Sequence, residues 1–162
     1  MKKLIACLAL LVCTLGAHAQ FEKNKWFVNA SATGLGLSYS GSEKTHFGFD
    51  ANGGAFVMDN VALLLNLGGD YAKNAMDVTT VGVGGRYYFD KVGVFLGLGL
   101  KYKHYAWEGW KDNDCALGIE AGYAFFLSRT VTIEPAVYYD QSFSDHHDYS
   151  KVGFKLGFGF YF

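Results

Sequence analysis

The densest group of residues that could bind a metal ion is Asp145-His146-His147-Asp148, near the C-terminal end of the chain. Imidazole nitrogens and carboxylate oxygens suit zinc or copper. A closed metal site needs side chains that converge on one ion, and adjacent residues rarely do so. His146 and His147 therefore indicate a solvated loop that could contact a partner, and the sequence predicts no metal ion and no cofactor.

Serine and histidine also occur together in this segment, at Ser144, His147 and Ser150. A nucleophilic serine needs a base within hydrogen-bond reach and a third group that orients the base. The spacing offers no such constellation. We therefore expect the protein not to be an enzyme.

Tryptophan and charged residues alternate between Trp107 and Asp112, with Glu108, Trp110 and Lys111 between them. Tryptophan beside charge is typical of binding hot spots, so Trp107 and Trp110 are candidates for contacting an extracellular protein or glycan. The alternative interpretation is that both rings anchor the chain at a membrane interface.

Strands must position these residues, because apolar and polar residues alternate with period two along most of the chain. The alternation predicts eight strands, at residues 26–39, 46–57, 61–71, 78–89, 92–103, 115–126, 131–143 and 152–162. Short turns (58–60, 90–91, 127–130) alternate with longer polar loops (40–45, 72–77, 105–114, 144–150). Beyond residue 19, no apolar run is long enough for a membrane-spanning helix.

The two faces of these strands differ sharply in charge. One face is apolar, and the other carries the predicted lumen charges, at Asp50, Asp70, Arg86, Lys101, Lys103, Glu120, Glu134, Asp140, Lys151 and Lys155. Charges inside a narrow barrel should pair with one another, because an unpaired buried charge is strongly destabilising. Strand adjacency predicts contacts of Glu120 with Lys101 and of Glu134 with Lys155.

Aromatic residues lie near the strand ends, as in the girdles of membrane barrels. The first predicted girdle contains Trp26, Phe27, Tyr87, Phe89, Phe125, Phe160 and Phe162. The second contains Tyr39, Phe47, Tyr71, Tyr102, Trp107, Tyr139 and Phe143.

Residues 1–19 have the pattern of a cleaved secretory signal peptide, which leaves 20–162 as the mature chain. Lys2 and Lys3 precede an apolar run, and Ala17-His18-Ala19 forms an A-x-A cleavage site. Lipoprotein processing at Cys13 is the alternative, which Val12 at the preceding position disfavours. The formal charge of −1 becomes −3 without the signal's two lysines, so nucleic-acid binding is not expected.

The last residues, Phe158, Phe160 and Phe162, alternate with glycine and tyrosine up to the end of the sequence. This resembles the C-terminal signal of bacterial outer-membrane barrels, which the barrel insertion machinery reads. Together with the strand count and the turn pattern, residues 20–162 resemble the small barrels of the OmpX and OmpA transmembrane type. The resemblance implies an all-β fold, a transmembrane antiparallel up-and-down β-barrel of eight strands. It also implies contact with outer-membrane lipid and both termini in the periplasm.

Four functions remain open at this point. The leading hypothesis is a structural and surface-interaction barrel with a salt-bridged lumen, because the resemblance implies envelope integrity, adhesion or resistance to host defence. The first alternative is a narrow pore for small solutes or ions. A lipid A-modifying barrel enzyme is a third possibility. Barrel enzymes that deacylate lipid A have a histidine and a serine two positions apart on one strand face, and no His-x-Ser occurs in this sequence. The last alternative is a soluble lipocalin-like carrier, in which the apolar strand face would point inward and the charged face would point to water.

Overall fold

The computed structural model describes residues 21–33, 47–71, 77–89, 92–107, 110–144 and 150–162. The strand segments are β1 (Trp26–Thr33), β2 (Phe47–Met58), β3 (Val61–Tyr71), β4 (Asp77–Tyr88), β5 (Val94–Trp107), β6 (Trp110–Tyr123), β7 (Phe125–Phe126), β8 (Val131–Ser142) and β9 (Lys151–Tyr161). Within these ranges no helix is long and apolar enough to cross a membrane.

Every strand pairs antiparallel with its neighbours along the chain, and the sheet closes on itself. β1 pairs with both β2 and β9, while β8 pairs with both β9 and β6. Segments β6 and β7 flank Ala124 and act as one strand of the wall, so the nine segments form eight strands. The predicted fold class, an eight-stranded antiparallel barrel, is confirmed.

The interruption between β6 and β7 lies opposite Pro135 of β8. The β6–β8 ladder ends at Gly122 opposite Ala136, and the β7–β8 ladder resumes at Phe125 opposite Ile133. Proline has no backbone N–H to donate, so a ladder bond is lost at this point. On its other side Ala124 remains attached to the wall, because its N–H donates to the carbonyl of Gly93 at 2.8 Å.

The end of the barrel where β1 begins and β9 ends is called the near end, and the opposite end the far end. At the near end Trp26 and Phe162 exchange two backbone hydrogen bonds, at 3.2 and 2.8 Å. At the far end the sequence-based boundaries are wrong, because β5 and β6 extend into the predicted loop 105–114, as far as Trp107 and from Trp110. Their ladder extends to Trp107 opposite Trp110.

The lost alternation explains this error. The predicted strands ended where the regular apolar face ended, but the segment from Asp112 to Asp114 is polar at every position. Polar side chains on both faces suit a hairpin that projects beyond the apolar band into water. The hydrogen-bonded ladder therefore extends farther along the chain than the apolar alternation from which strands are predicted.

The outward face of the barrel is a band of exposed large hydrophobic side chains. Leu63, Leu65 and Leu67 of β3 are 56%, 66% and 57% exposed, and β5 repeats the pattern with Leu96, Leu98 and Leu100. Exposed apolar surface of this extent is unusual for a protein in water but is the normal outer face of a membrane barrel.

Candidate functional site

The lumen contains the charged side chains that the strand alternation assigned to the inner face. Each of the ten predicted lumen charges takes part in an ion pair. The pairs are Arg86 with Glu120 and Glu134, Lys101 and Lys103 with Asp140, Lys151 with Asp70, and Lys155 with Glu120 and Asp50.

Arg86 lies at the centre of this network and is 2% exposed. Its Nη2 is 2.6 Å from Oε1 of Glu120, and its Nη1 donates to Oε2 of Glu134 at 3.0 Å. Nη1 also donates to the hydroxyl of Tyr88 at 3.0 Å. The planar guanidinium offers several donors in a fixed fork, so one side chain can satisfy two carboxylates at once.

Glu134 is also held by neutral donors. Its oxygens accept hydrogen bonds from Asn29 Nδ2 at 2.9 Å, from Thr132 Oγ1 at 2.8 Å and from the Tyr161 hydroxyl at 2.7 Å. Together with Arg86, four donors surround this buried carboxylate and replace the hydrogen bonds that it would make to water.

Both individual contacts predicted from strand adjacency are wrong. Glu120 lies opposite Gly97, four positions along β5 from Lys101, and Lys101 pairs with Asp140 instead. Lys155 lies opposite Ala136, and its ammonium bonds Glu120 across the lumen rather than Glu134. In a barrel this narrow, long side chains reach across the interior, so neighbouring strands do not determine the pairing.

The far part of the network centres on Asp140. Lys101 Nζ is 2.7 Å from Oδ1 of Asp140, and Lys103 Nζ is 2.9 Å from Oδ2. Lys151 Nζ donates to Oδ2 of Asp70 at 3.0 Å. The sequence-based interpretation missed a further buried carboxylate, Asp114, because it lies in the segment predicted to be a loop.

Asparagine side chains connect the ion pairs around the middle of the lumen. Asn52 and Asn66 each donate to Asp50 at 2.7 Å, and Asn66 also donates to Asn52 at 2.9 Å. A cavity of about 40 Å³ next to these groups is lined by Lys101, Glu120 and Lys155 among others. At roughly 10–15 Å³ per water, it has room for about three waters.

Aromatic side chains fill the near end of the lumen. The aromatic cluster consists of Phe21, Phe27, Phe56, Tyr88, Phe95, Phe126 and Tyr161. Phe27 and Tyr161 stack at 5.5 Å between ring centres, and the hydroxyls of Tyr88 and Tyr161 are 3.1 Å apart. Phe27 is 1% exposed, so its predicted place in the outer girdle is wrong. The period-two alternation could have predicted this inward side chain, because Phe27 alternates with the outward-facing Trp26 and Val28.

A short N-terminal segment covers this cluster. The ring of Phe21 stacks on Tyr88 at 4.2 Å between centres, and the Phe21 carbonyl accepts the Asn60 N–H at 2.7 Å. The Asn24 N–H donates to the carbonyl of Phe56 at 2.9 Å. Asn24 has φ +71, a left-handed conformation that asparagine tolerates better than most residues and that turns the chain into β1.

The remaining predicted site residues lie outside the lumen. Phe158, Phe160 and Phe162 are 49%, 45% and 65% exposed on the outer face. Trp107 and Trp110 are register partners at the far end of the β5–β6 hairpin. His146 and His147 lie outside the described residues. Within the described ranges, no three His, Cys, Asp or Glu side chains come together in a metal-binding group.

Comparison with known proteins identifies the architecture. No family model and no curated protein matches this chain. Among solved structures, the N-terminal barrel domain of Pseudomonas aeruginosa OprF has a TM-score of 0.69 and 16% identity, covering 86% of this chain and 98% of that one.

Two further solved barrels are similar. Neisserial surface protein A has a TM-score of 0.66 and 12% identity, covering 84% of this chain and 96% of its own. Ail, the attachment invasion locus protein of Yersinia pestis, has a TM-score of 0.52 and 14% identity over 86% and 99% of the two chains. The chain therefore has the fold of the small eight-stranded outer-membrane barrels.

Proposed function

We propose that this protein is a closed scaffold in the bacterial outer membrane that presents a binding surface at its far end. In this proposal residues 1–19 are a cleaved signal peptide, the near end faces the periplasm and the far end faces the exterior. The observation that carries the proposal is that side chains fill the lumen from the aromatic cluster to the ion pairs around Asp140.

Three successive layers oppose conduction through this lumen. The aromatic cluster seals the near end, Arg86 with Glu120 and Glu134 crosses the middle, and the two lysines on Asp140 cross the far part. The cavity of about 40 Å³ between them is far too small for a continuous water column. Passage of an ion would require breaking buried ion pairs, each at a cost on the order of 3–5 kcal/mol. The narrow-pore alternative is therefore disfavoured.

The outer face supports membrane insertion. Its exposed leucines, valines and aromatics match a hydrocarbon environment, so outer-membrane lipid is the first partner of the protein. Phe158 and Phe160 project from the outer face of β9, and Phe162 directly after it is exposed as well. The insertion machinery could read such side chains before the barrel closes.

The β5–β6 hairpin is the best-defined part of the proposed binding surface. Both strands have 14 residues, against 11 or 12 for β2, β3, β4, β8 and β9. The β6–β8 ladder begins at Ala116, so the segment from Trp110 to Cys115 rises beyond it. Within the hairpin, His104 Nδ1 of β5 and Asn113 Oδ1 of β6 are 2.7 Å apart, so side chains as well as the backbone ladder connect the two strands.

A hairpin with two tryptophans near its end suits a protein partner, because tryptophan is enriched among the residues that contribute most to binding at protein interfaces. A barrel of this fold, the attachment invasion locus protein Ail, is named for attachment, which is in line with a surface-interaction role.

An enzymatic role has less support. The ten lumen charges predicted from the sequence are all paired with one another. A catalytic acid or base must instead be positioned against a reacting group.

The closed lumen is tested by recording current across a planar bilayer that contains the refolded chain. We expect no lasting current steps from the wild type. An Arg86→Ala and Phe56→Ala double variant, which removes the central cation and an aromatic ring, should give detectable leakage. Lasting discrete steps from the wild type would contradict the closed scaffold and restore the pore alternative.

The binding surface is tested with cells that display the protein, by adhesion to immobilised extracellular matrix proteins and to a glycan array. We expect Trp107→Ala with Trp110→Ala to lower adhesion to a protein surface at least tenfold. Trp26→Ala, an exposed tryptophan at the near end, is the matched control and should have no effect. Equal adhesion of all three chains would refute a role for the hairpin, and selective binding to glycans would change the partner class.

A further inference from the structure

Asp114 is a buried carboxylate on the lumen face of β6, close to the far end. It is 2% exposed and is the register partner of Lys103 on β5. Neither Oδ1 nor Oδ2 has a hydrogen-bond partner among the residues that the structure describes. A buried carboxylate without a partner is strongly destabilising in its ionised form unless another group or ion compensates its charge.

The lumen bases do not supply that compensation, because each is bonded to another carboxylate. Lys101 and Lys103 both bond Asp140, so this acid has two lysines while Asp114 has none. The bases farther from Asp114 pair as Lys151 with Asp70, Lys155 with Glu120 and Asp50, and Arg86 with Glu120 and Glu134. In the described lumen, the inward acids outnumber the bases by one once Asp114 is added to the ten predicted charges.

We propose that Asp114 binds a small monovalent cation that enters the lumen from the far end. Carboxylate oxygens are the ligands that hard cations such as Na⁺ prefer. A divalent ion is the poorer fit, because no group of three His, Cys, Asp or Glu surrounds this position within the described ranges.

A rearrangement of Lys103 is the competing explanation. Its ammonium could leave Asp140, which would keep Lys101, and bond Asp114 on the neighbouring strand. This rearrangement would satisfy both carboxylates with groups of the chain itself and would require no ion. The two explanations differ in one measurable respect, which is whether stability depends on the identity of the cation.

The test uses the full mature chain refolded in uncharged bilayers at constant ionic strength. Its thermal unfolding midpoint is measured while Na⁺ replaces the bulky cation N-methyl-D-glucamine. Since a ligand stabilises the state that binds it, we expect the midpoint to rise by about 3–6 °C per tenfold increase in Na⁺ above its dissociation constant. Asp114→Asn should lose this dependence, and Asp112→Asn, two positions along β6, should keep it.

Equal midpoints of the wild type in the two cations would overturn the proposal and favour the movement of Lys103. Retention of the Na⁺ dependence by Asp114→Asn would also overturn it, by placing the ion elsewhere. If Asp114→Asn fails to refold, Lys103→Met provides the second variant. Cation binding predicts that this variant keeps the Na⁺ dependence, and loss of the dependence would contradict the proposal.

Discussion

The guanidinium carbon of Arg86 lies 4.1 Å from the centre of the Phe95 ring. Arg86 thus belongs both to the ion network and to the edge of the aromatic cluster. The attraction between a cation and an aromatic face strengthens when both are removed from water. Arg86 therefore links the charged middle of the lumen to its apolar near end.

Replacing Arg86 should destabilise the barrel more than any other single change in the network. Arg86→Ala leaves Glu134 without a cationic partner and Glu120 with Lys155 alone. We expect a loss of about 3–5 kcal/mol in the free energy of unfolding, measured by urea titration in bilayers. Lys111→Ala, on an exposed side chain, is the control. A loss below about 1 kcal/mol would show that Arg86 contributes little net stability.

The cross-lumen pairing of Lys155 can be tested by a double-mutant cycle. Glu120→Gln combined with Lys155→Met should give a coupling energy of about 1–3 kcal/mol, since their charges are in direct contact. The matched cycle of Glu134→Gln with Lys155→Met should give a clearly smaller coupling. The reverse order of the two couplings would support the pairing expected from strand adjacency.

Removing the Phe21 ring should weaken the near end. The side chain is 4% exposed and is in contact with Phe56, Tyr88, Phe126 and Tyr161. Phe21→Ala should cost about 3 kcal/mol of unfolding free energy, in line with other buried phenylalanines. Leu127→Ala at an exposed turn position of the same end should cost much less, and equal effects would show that Phe21 is not part of the core.

Two glycines should respond in opposite ways to an added methyl group. At Gly122 a Cβ would contact the Phe95 ring and lie 2.7 Å from both the Ala136 Cβ and the Pro135 carbonyl oxygen. At Gly53 it would meet nothing within 4 Å. Gly122→Ala should therefore destabilise by about 1–3 kcal/mol. Gly53→Ala should be neutral or stabilise by up to about 1 kcal/mol.

Phe162 should matter more for assembly in cells than for the folded barrel. The side chain is 65% exposed, so Phe162→Ala should change the stability of refolded protein by less than about 1 kcal/mol. If the insertion machinery reads the terminal phenylalanines, the same variant should reach the outer membrane in clearly lower amount. Phe143→Ala, 63% exposed and far from the C-terminus, is the control, and an equal decrease for both would contradict a terminal signal.

The alternation of residues was sufficient to predict the fold and the inner face. Glu134 and Lys155 could be assigned to the lumen from their positions in the period-two alternation, because these positions determine which face a side chain is on. The alternation does not determine how far a side chain reaches, so their actual partners, Arg86 and Glu120, could not be predicted. Those contacts depend on the stagger of all eight strands and on competition among ten charges.

The aromatic cluster illustrates a second limit of sequence reasoning. Phe27 alternates with the outward-facing Trp26 and Val28, which indicates an inward side chain, but aromatic residues near strand ends also suit a membrane interface. The two signals conflict, and the prediction followed the wrong one. Phe21 precedes the first strand, so the strand alternation does not predict which way its side chain points. Its place in the core results from the left-handed turn at Asn24, which only the completed near end reveals.

The aromatic cluster joins residues that are 140 positions apart in the sequence, since the ring centres of Phe21 and Tyr161 are 5.9 Å apart. A chain that lacks β9 cannot complete this core, because β9 supplies Tyr161. The near end can therefore consolidate only after β9 is available, as expected where contacts join distant positions. If the chain is exported as proposed, this delay is useful, because a chain that cannot fold early stays unfolded while it crosses the inner membrane.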